Sequence, residues 1–209
     1  MIKERLGSDV DAVVYRLFPF VRSLRVHPDT LTLAGALVSF FAAWALAEEQ
    51  RFGAGLLLMV AGFFDLVDGV VARQQGLSSS AGAFFDSSID RLSDLMIFGG
   101  IAVARTAAGD TGGTVLVMWA ITATVMTSYT RASAEKRLHT LKVGVMERGE
   151  RFGVLIVGAL TGFVLTAVFA IAVGATITAL QRVREGRRLL RELDATGVDP
   201  TREEVASGG

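Results

Sequence analysis

The segment 65-DLVDGVVARQQGLSSSAGAFFDSSID-90 places four aspartates inside a chain that is otherwise largely apolar. Carboxylates are costly near lipid, so their spacing governs how the surrounding sequence is read. Asp65, Asp68, Gly69 and Ala72 fall at i, i+3, i+4 and i+7, which is one stripe of a helix. Gly82, Asp86 and Asp90 fall at i, i+4 and i+8 and make a stripe on the next helix. Each stripe sets two carboxylates beside residues with little or no side chain, where a ligand can approach the backbone closely. The polar linker "QQGLSSSA" is short, so the two helices are expected to be neighbours that face each other.

Outside this segment the chain is oily. Hydrophobic residues make up 51% of its 209 positions, and the mean hydropathy is +0.48. Residues 31–47, 53–64, 95–104, 114–127 and 152–181 are almost free of charge. A bilayer core takes about 20 apolar residues per helix, so the chain reads as an all-α integral membrane protein of one domain. Cysteine is absent, which excludes disulfides, thiolate metal sites and a cysteine nucleophile. The charged first 30 residues do not read as a signal peptide. Net charge is zero, and no nucleic-acid partner is expected.

Residues 10–24 carry Val10, Val13, Val14, Leu17, Val21 and Leu24 on one helical face, with Arg16, Arg22 and Arg25 elsewhere. This predicts an amphipathic helix lying on the membrane surface. "HPDT" (27–30) then breaks the chain and supplies a cap. Spans are expected at about 30–47, 53–73, 82–105 and 113–133, followed by 152–181 as a short hairpin of two helices, with "TG" at 161–162 as a weak turn signal. Charge decides for the hairpin. Five Lys and Arg gather in 1–27, six in 131–151 and six in 182–202. Six spans put all three basic regions, and both termini, on the cytoplasmic side. The expected architecture is therefore an interfacial helix region (1–27) and six transmembrane helices within a domain of residues 1–194, followed by a disordered tail, 195–209.

Four bare carboxylates facing one cleft would repel strongly. Hard divalent cations remove that repulsion, prefer carboxylate oxygens and keep positions open for phosphate. Two ions about 3.5–4 Å apart are the usual device for displacement at phosphorus. Arg73 is placed to meet a phosphate. Asp94 continues the second stripe, and pairing with Arg91 or another base is enough to explain it. His27, His139, Tyr129 and the two Trp read as loop, packing or interface residues.

The residues Asp65, Asp68, Gly69, Ala72, Arg73, Gly82, Asp86 and Asp90 form D-x2-D-G-x2-A-R-x8-G-x3-D-x3-D. This resembles the signature of the CDP-alcohol phosphotransferase family, and the resemblance extends to the helical architecture. It implies transfer of a phosphatidyl-type group from a CDP-linked lipid to an alcohol, with release of CMP, at the cytoplasmic face of the cell membrane. It implies that Asp65, Asp68, Asp86 and Asp90 hold two ions, Mg2+ or Mn2+, and that Asp90 is the base. It further implies that Asp65, Gly69, Ala72, Arg73, Ser79 and Gly82 meet the CDP-lipid, and that the protein is a homodimer. "PDTLT" (28–32) resembles the family's entry to its first helix, which makes Asp29 and Thr32 nucleotide candidates; a plain N-cap role for Asp29 or Thr30 fits the local sequence equally.

"SYTRASAEKR" (128–137) and "VMERGERFG" (145–153) resemble the phosphatidylinositol-phosphate synthase branch and its archaeal ether-lipid counterpart. That resemblance implies a phosphorylated polyol as acceptor, inositol 1-phosphate first, with its phosphate held by Arg131, Arg151 and Arg182. Arg131, Ser133 and Gly149 depart from that branch's usual residues. The bland reading of these arginines is as positive-inside anchors. Glycerol 3-phosphate, and hence a phosphatidylglycerol-phosphate synthase, is the rival acceptor. A transporter would place its site on broken helices at mid-membrane with repeat symmetry, which the sequence lacks. An intramembrane prenyltransferase would need more spans than this length allows.

Overall fold

Punctuation between the apolar runs fixes where each helix starts and stops. In the computed structural model, which describes residues 14, 16, 18–23 and 26–201, a 3₁₀ turn at Pro19–Ser23 precedes six α-helices. They are α1 (Pro28–Ala47), α2 (Arg51–Gln74), α3 (Ser80–Ala107), α4 (Thr111–Ala134), α5 (Arg148–Thr161) and α6 (Val164–Thr196). Pro28 occupies the first turn of α1, where its missing N–H costs nothing. The cap is His27, whose Nδ1 accepts from the Asp29 N–H at 3.3 Å, so neither Asp29 nor Thr30 caps this helix.

The end of α2 is a two-bond glycine cap. Gly76 takes φ +65°, its N–H donates to the Arg73 carbonyl, and the Leu77 N–H reaches back to Ala72. Three residues later the Ser79 hydroxyl accepts from the Gly82 N–H at 3.0 Å and opens α3. These caps turn the chain between the two aspartate-bearing segments within five residues.

The expected hairpin at 152–181 divides unevenly. Gly162, at φ +82°, ends α5 after 14 residues, while α6 runs on for 33. The "TG" signal marks the break, but the basic stretch after Gln181 continues the helix instead of leaving it. At 1.5 Å per residue α5 is about 21 Å long and α6 about 50 Å. Four helices, α1, α2, α4 and α6, are long and apolar enough to cross a membrane. Expected spans α3 and α5 do not meet that standard. Asp86, Asp90, Arg91 and Asp94 interrupt α3 as far as its middle, and α5 is short of a bilayer's ~30 Å core. Large apolar side chains such as Phe41, Trp44, Met59, Val103, Met118 and Phe169 face outward. That much exposed apolar surface is what a lipid-facing belt requires.

All six helices contribute to one core, including Leu46, Leu58, Ile97, Val117, Leu155 and Ile171. α1 packs on both α2 and α3, α2 on α5, α3 on α4, and α6 on α4 and α5. α2 and α3 do face each other, since Asp65 of α2 meets Asp86 and Asp90 of α3 within 4.8 Å, but they do not pack directly along their length. α1 is wedged between them, and they part to leave a cleft. Small residues seat the wedge: a Cβ on Gly100 of α3 would collide with the Ala43 backbone of α1.

The surface helix expected over 10–24 lies mostly outside the described residues. Where it is described, Val14 and Arg16 are helical as expected, Pro19–Ser23 is a 3₁₀ turn, and Val14 and Val21 are buried against Val67, Val70 and Val71 of α2. Their apolar face thus meets protein. At the other end, residues 195–201, expected in a disordered tail, complete α6 and fold back; Asp199 and Thr201 accept from the His139 N–H. The remainder of that tail, 202–209, lies outside the described residues.

Candidate active site: an acidic cleft flanked by arginines

Helical spacing on α2 and α3 and the wedge of α1 bring the aspartates to one end of the bundle. One carboxylate oxygen from each of Asp65, Asp86 and Asp90 lies within 4.8 Å of the others, a set able to hold a metal ion. Asp68 stands apart from that trio. Its side chain is buried, and its Oδ2 accepts from the Thr32 hydroxyl of α1 at 2.7 Å. Oδ1 of Asp86 is buried and accepts no hydrogen bond. An orphaned buried carboxylate oxygen is costly and calls for a ligand. Hard-oxygen donors, crowding and this orphan together fit a divalent cation.

A groove of about 880 Å³ opens beside the carboxylates, between the start of α1 and the α2–α3 turn. Asp29, Thr32, Gly69, Ala72, Arg73, Ser79 and Gly82 all line it, together with Asp68 and Asp86. Asp65, also expected on the nucleotide side, does not; it lies with Asp90 and Arg148 in a small adjoining pocket. Gly69 faces the Arg73 guanidinium, which a Cβ there would approach to 3.3 Å. The groove is therefore polar and basic at one wall and bare of side chains at another, which suits a ligand carrying phosphates.

On the other flank the three arginines converge, though each is already engaged. Arg182 is 5% exposed and donates to the Val143 carbonyl (2.7 Å), the Thr127 carbonyl (2.9 Å) and Glu147 (3.0 Å). Arg151 is 6% exposed and pairs with Asp94 at 3.3 Å while reaching the Thr127 hydroxyl at 3.5 Å. Arg131, 33% exposed, is held by Glu135 at 3.0 Å and lies 3.8 Å from Glu147. Burial of Arg151 and Arg182 removes the reading of these two as membrane-surface anchors, because an anchor keeps its charge in water.

Sequence reading missed the residue at the centre. Arg148, the first residue of α5, donates to Asp65 at 2.5 Å and pairs with Asp90 at 3.1 Å. It lies over the Phe152 ring, 5.6 Å from its centroid. Asp94, left unassigned in the sequence, joins the two halves of the site. It faces Arg148 at 3.7 Å and Arg151 at 3.3 Å, while Arg91 turns instead toward Asp90. The signals were present: Asp94 sits one turn beyond Asp90, and Arg148 and Arg151 are i, i+3 on one face.

Comparison with known proteins gives the chain's family and its fold relatives. Residues 25–180 match the family model for CDP-alcohol phosphatidyltransferase. The chain is 36% identical over 192 residues to archaetidylinositol phosphate synthase of Pyrococcus horikoshii, covering 89% of this chain and 97% of that protein. It is 35% identical over 187 residues to phosphatidylinositol phosphate synthase of Streptomyces avermitilis, covering 81% and 76%. Its fold is similar to the crystal structure of phosphatidylinositol phosphate synthase of Mycobacterium tuberculosis with CDP-DAG bound, with a TM-score of 0.71, 23% identity, and 87% and 94% of the two chains covered.

Proposed function

Because the chain belongs to the CDP-alcohol phosphatidyltransferase family, a family of membrane transferases of phospholipid biosynthesis, we propose that it moves a phosphatidyl-type group from a CDP-linked lipid to a phosphorylated polyol, inositol 1-phosphate first. The observation that carries this reading is the meeting of three features at one place. A groove suited to a diphosphate, a carboxylate set with an orphaned oxygen and a cluster of buried arginines share the end of one bundle.

Asp65, Asp68, Asp86 and Asp90 would hold two Mg2+ or Mn2+ ions. When bound, the ions neutralise charge developing on the diphosphate. Asp29, Thr32, Gly69, Ala72, Arg73, Ser79 and Gly82 would seat the CDP moiety, with Gly69 and Gly82 allowing close approach to backbone. Asp90 lies between the groove and the arginines and would take the proton from the acceptor hydroxyl. The acceptor oxygen bonds to the β-phosphorus as the bond from that phosphorus to the CMP oxygen breaks. Arg131, Arg151 and Arg182 would hold the acceptor's phosphate, where guanidinium forks match phosphate oxygens. The basic excess in 1–27, 131–151 and 182–202 supports a site that faces the cytoplasmic side of the cell membrane. Residues 1–194 form the catalytic domain, set among membrane lipids through α1, α2, α4 and α6, and the working unit is a homodimer.

The test is CMP release by the purified protein in detergent with Mg2+ or Mn2+. CDP-diacylglycerol and its diether analogue are each offered with inositol 1-phosphate, glycerol 3-phosphate, free inositol or serine. Release with inositol 1-phosphate supports the reading. Release with glycerol 3-phosphate alone replaces the acceptor, and release with free inositol or serine removes the arginines' assigned task.

A further inference from the structure

Glu147 and Arg148 are consecutive residues at the N-terminus of α5, and they point into opposite halves of the site. Arg148 puts a cation on Asp65 and Asp90, two of the three carboxylates that could hold a metal ion. Glu147 puts a carboxylate on Arg182 at 3.0 Å and beside Arg131 at 3.8 Å, two of the arginines assigned to the acceptor's phosphate. Each half of the site is thus filled by a side chain bearing the charge of the ligand expected there.

Neither hold is complete. Arg148 Nε is buried without a hydrogen-bond acceptor, since Asp94 stands 3.7 Å away. The Glu147 side chain makes no cap bond to its own helix and stays half exposed. Arg182, in contrast, is fixed by two backbone carbonyls, at Val143 and Thr127, so its bond to Glu147 is the one that can be exchanged. The backbone around the pair is anchored: the Met146 N–H donates to Thr178 at 3.0 Å, and the Arg151 N–H to the Glu147 carbonyl at 3.2 Å. Exchange therefore asks for side-chain rotation, not for movement of the helix.

We propose that Glu147–Arg148 is a displaceable pair of internal counter-ions, so that a divalent cation and a phosphate-bearing acceptor favour each other's binding. The proposal rests on the functional reading above. A divalent ion on Asp65 and Asp90 competes with Arg148 for the same oxygens. Arg148, once released, is a cation at the neck between the carboxylates and the arginines, where the nearest incoming anion is the acceptor's phosphate. Phosphate that displaces Glu147 in turn draws Arg148 away from the carboxylates. Coupling of this kind is reciprocal and is ordinarily 5–150-fold.

The test measures Mn2+ binding to the full chain in detergent, by loss of the free-ion electron paramagnetic resonance signal. Inorganic phosphate is present or absent, and protein-free blanks correct for Mn2+–phosphate association. Wild-type protein is expected to bind Mn2+ about 10-fold more tightly with saturating phosphate. Arg148→Gln is expected to bind Mn2+ about 10-fold more tightly without phosphate and to gain little more on its addition. Glu147→Gln is expected to lower by several-fold the phosphate concentration giving half the effect, and it serves alone should Arg148→Gln fail to fold. Wild-type Mn2+ affinity that ignores phosphate, an Arg148→Gln protein that behaves as wild type, or an unmoved half-effect concentration in Glu147→Gln overturns the counter-ion pair. A wild-type protein that binds no Mn2+, or whose binding survives Asp86→Asn, overturns the functional reading together with it.

Discussion

Charge gathers at both ends of this bundle, and the two ends use it differently. At the end away from the groove, Glu49 accepts from Arg51 at 2.8 Å and pairs with Arg105, which also faces Asp110 at 3.8 Å. Arg51 donates in addition to the Gly162 carbonyl at 3.3 Å. Two acids and two bases thereby tie together the α1–α2, α3–α4 and α5–α6 turns. At the groove end, Asp65, Asp86, Asp90 and Asp94 crowd around Arg91, Arg148 and Arg151, and a buried oxygen of Asp86 has no hydrogen-bond partner. A balanced cluster is a staple for loops. A crowded one with an orphaned atom is held in place by the rest of the fold and is open to a ligand.

The largest effect that could break this contrast is expected at Asp86. Asp86→Asn keeps the shape, lowers the negative charge and removes a carboxylate able to hold a metal ion. CMP release should fall on the order of 10²–10³-fold or more, while thermal stability holds or rises as like-charge repulsion is relieved. A variant that loses stability and keeps its rate would make the acidic end a staple after all. The converse substitution is Arg105→Ala. The Arg105 side chain is 16% exposed and serves two acids. Its loss should cost about 2–3 kcal/mol of stability, read as a lower melting temperature, with activity of the folded fraction within about twofold.

What the sequence revealed divides along the same line. Helices, their caps and the aspartate stripes are local patterns, so periods of 3.6 and punctuation at Gly76, Ser79 and Gly162 expose them. Seven of the groove residues share that property because they sit on the first turns of α1 and α3 and the last turns of α2. The wedge of α1 between α2 and α3 was not legible, since it depends on which small residues meet across 57 positions, as Gly100 and Ala43 do. Arg148 escaped for the same reason. Its partners Asp65 and Asp90 lie 83 and 58 residues away, and in sequence it is one basic residue among several. The uneven split of 152–181 was hidden by composition. Apolar content shows how much chain is buried but not where α6 stops, and α6 runs on into the basic stretch.

A smaller effect separates the two flanks of the groove end itself. Arg131 is the least buried of the three arginines and is held by one partly buried and one half-exposed acid, so its removal strands no fully buried charge. Arg131→Ala should raise the apparent KM for a phosphorylated acceptor about tenfold, equivalent to about 1.4 kcal/mol. Affinity for the CDP-linked lipid should stay within twofold. An equal loss toward both substrates would merge the flanks into one binding site and undo the separation between groove and arginine cluster.

The smallest effect is expected where a glycine borders the groove. Gly100 cannot accept a methyl group because a Cβ there meets the Ala43 backbone, which has nowhere to go. Gly69 meets only the far end of the Arg73 side chain, at 3.3 Å. Packing therefore gives no reason for glycine at 69, and helix propensity argues against it by up to about 1 kcal/mol relative to Ala. Gly69→Ala should leave the melting temperature unchanged or slightly higher. If the groove seats a CDP moiety against the α2 backbone, the same variant should weaken CDP-lipid binding several-fold, because the added carbon and the displaced Arg73 both intrude on the ligand. A Gly69→Ala protein that is stabilised and binds the donor as tightly as wild type would mean that the ligand does not approach α2 at this turn, and the nucleotide would then have to lie nearer the start of α1.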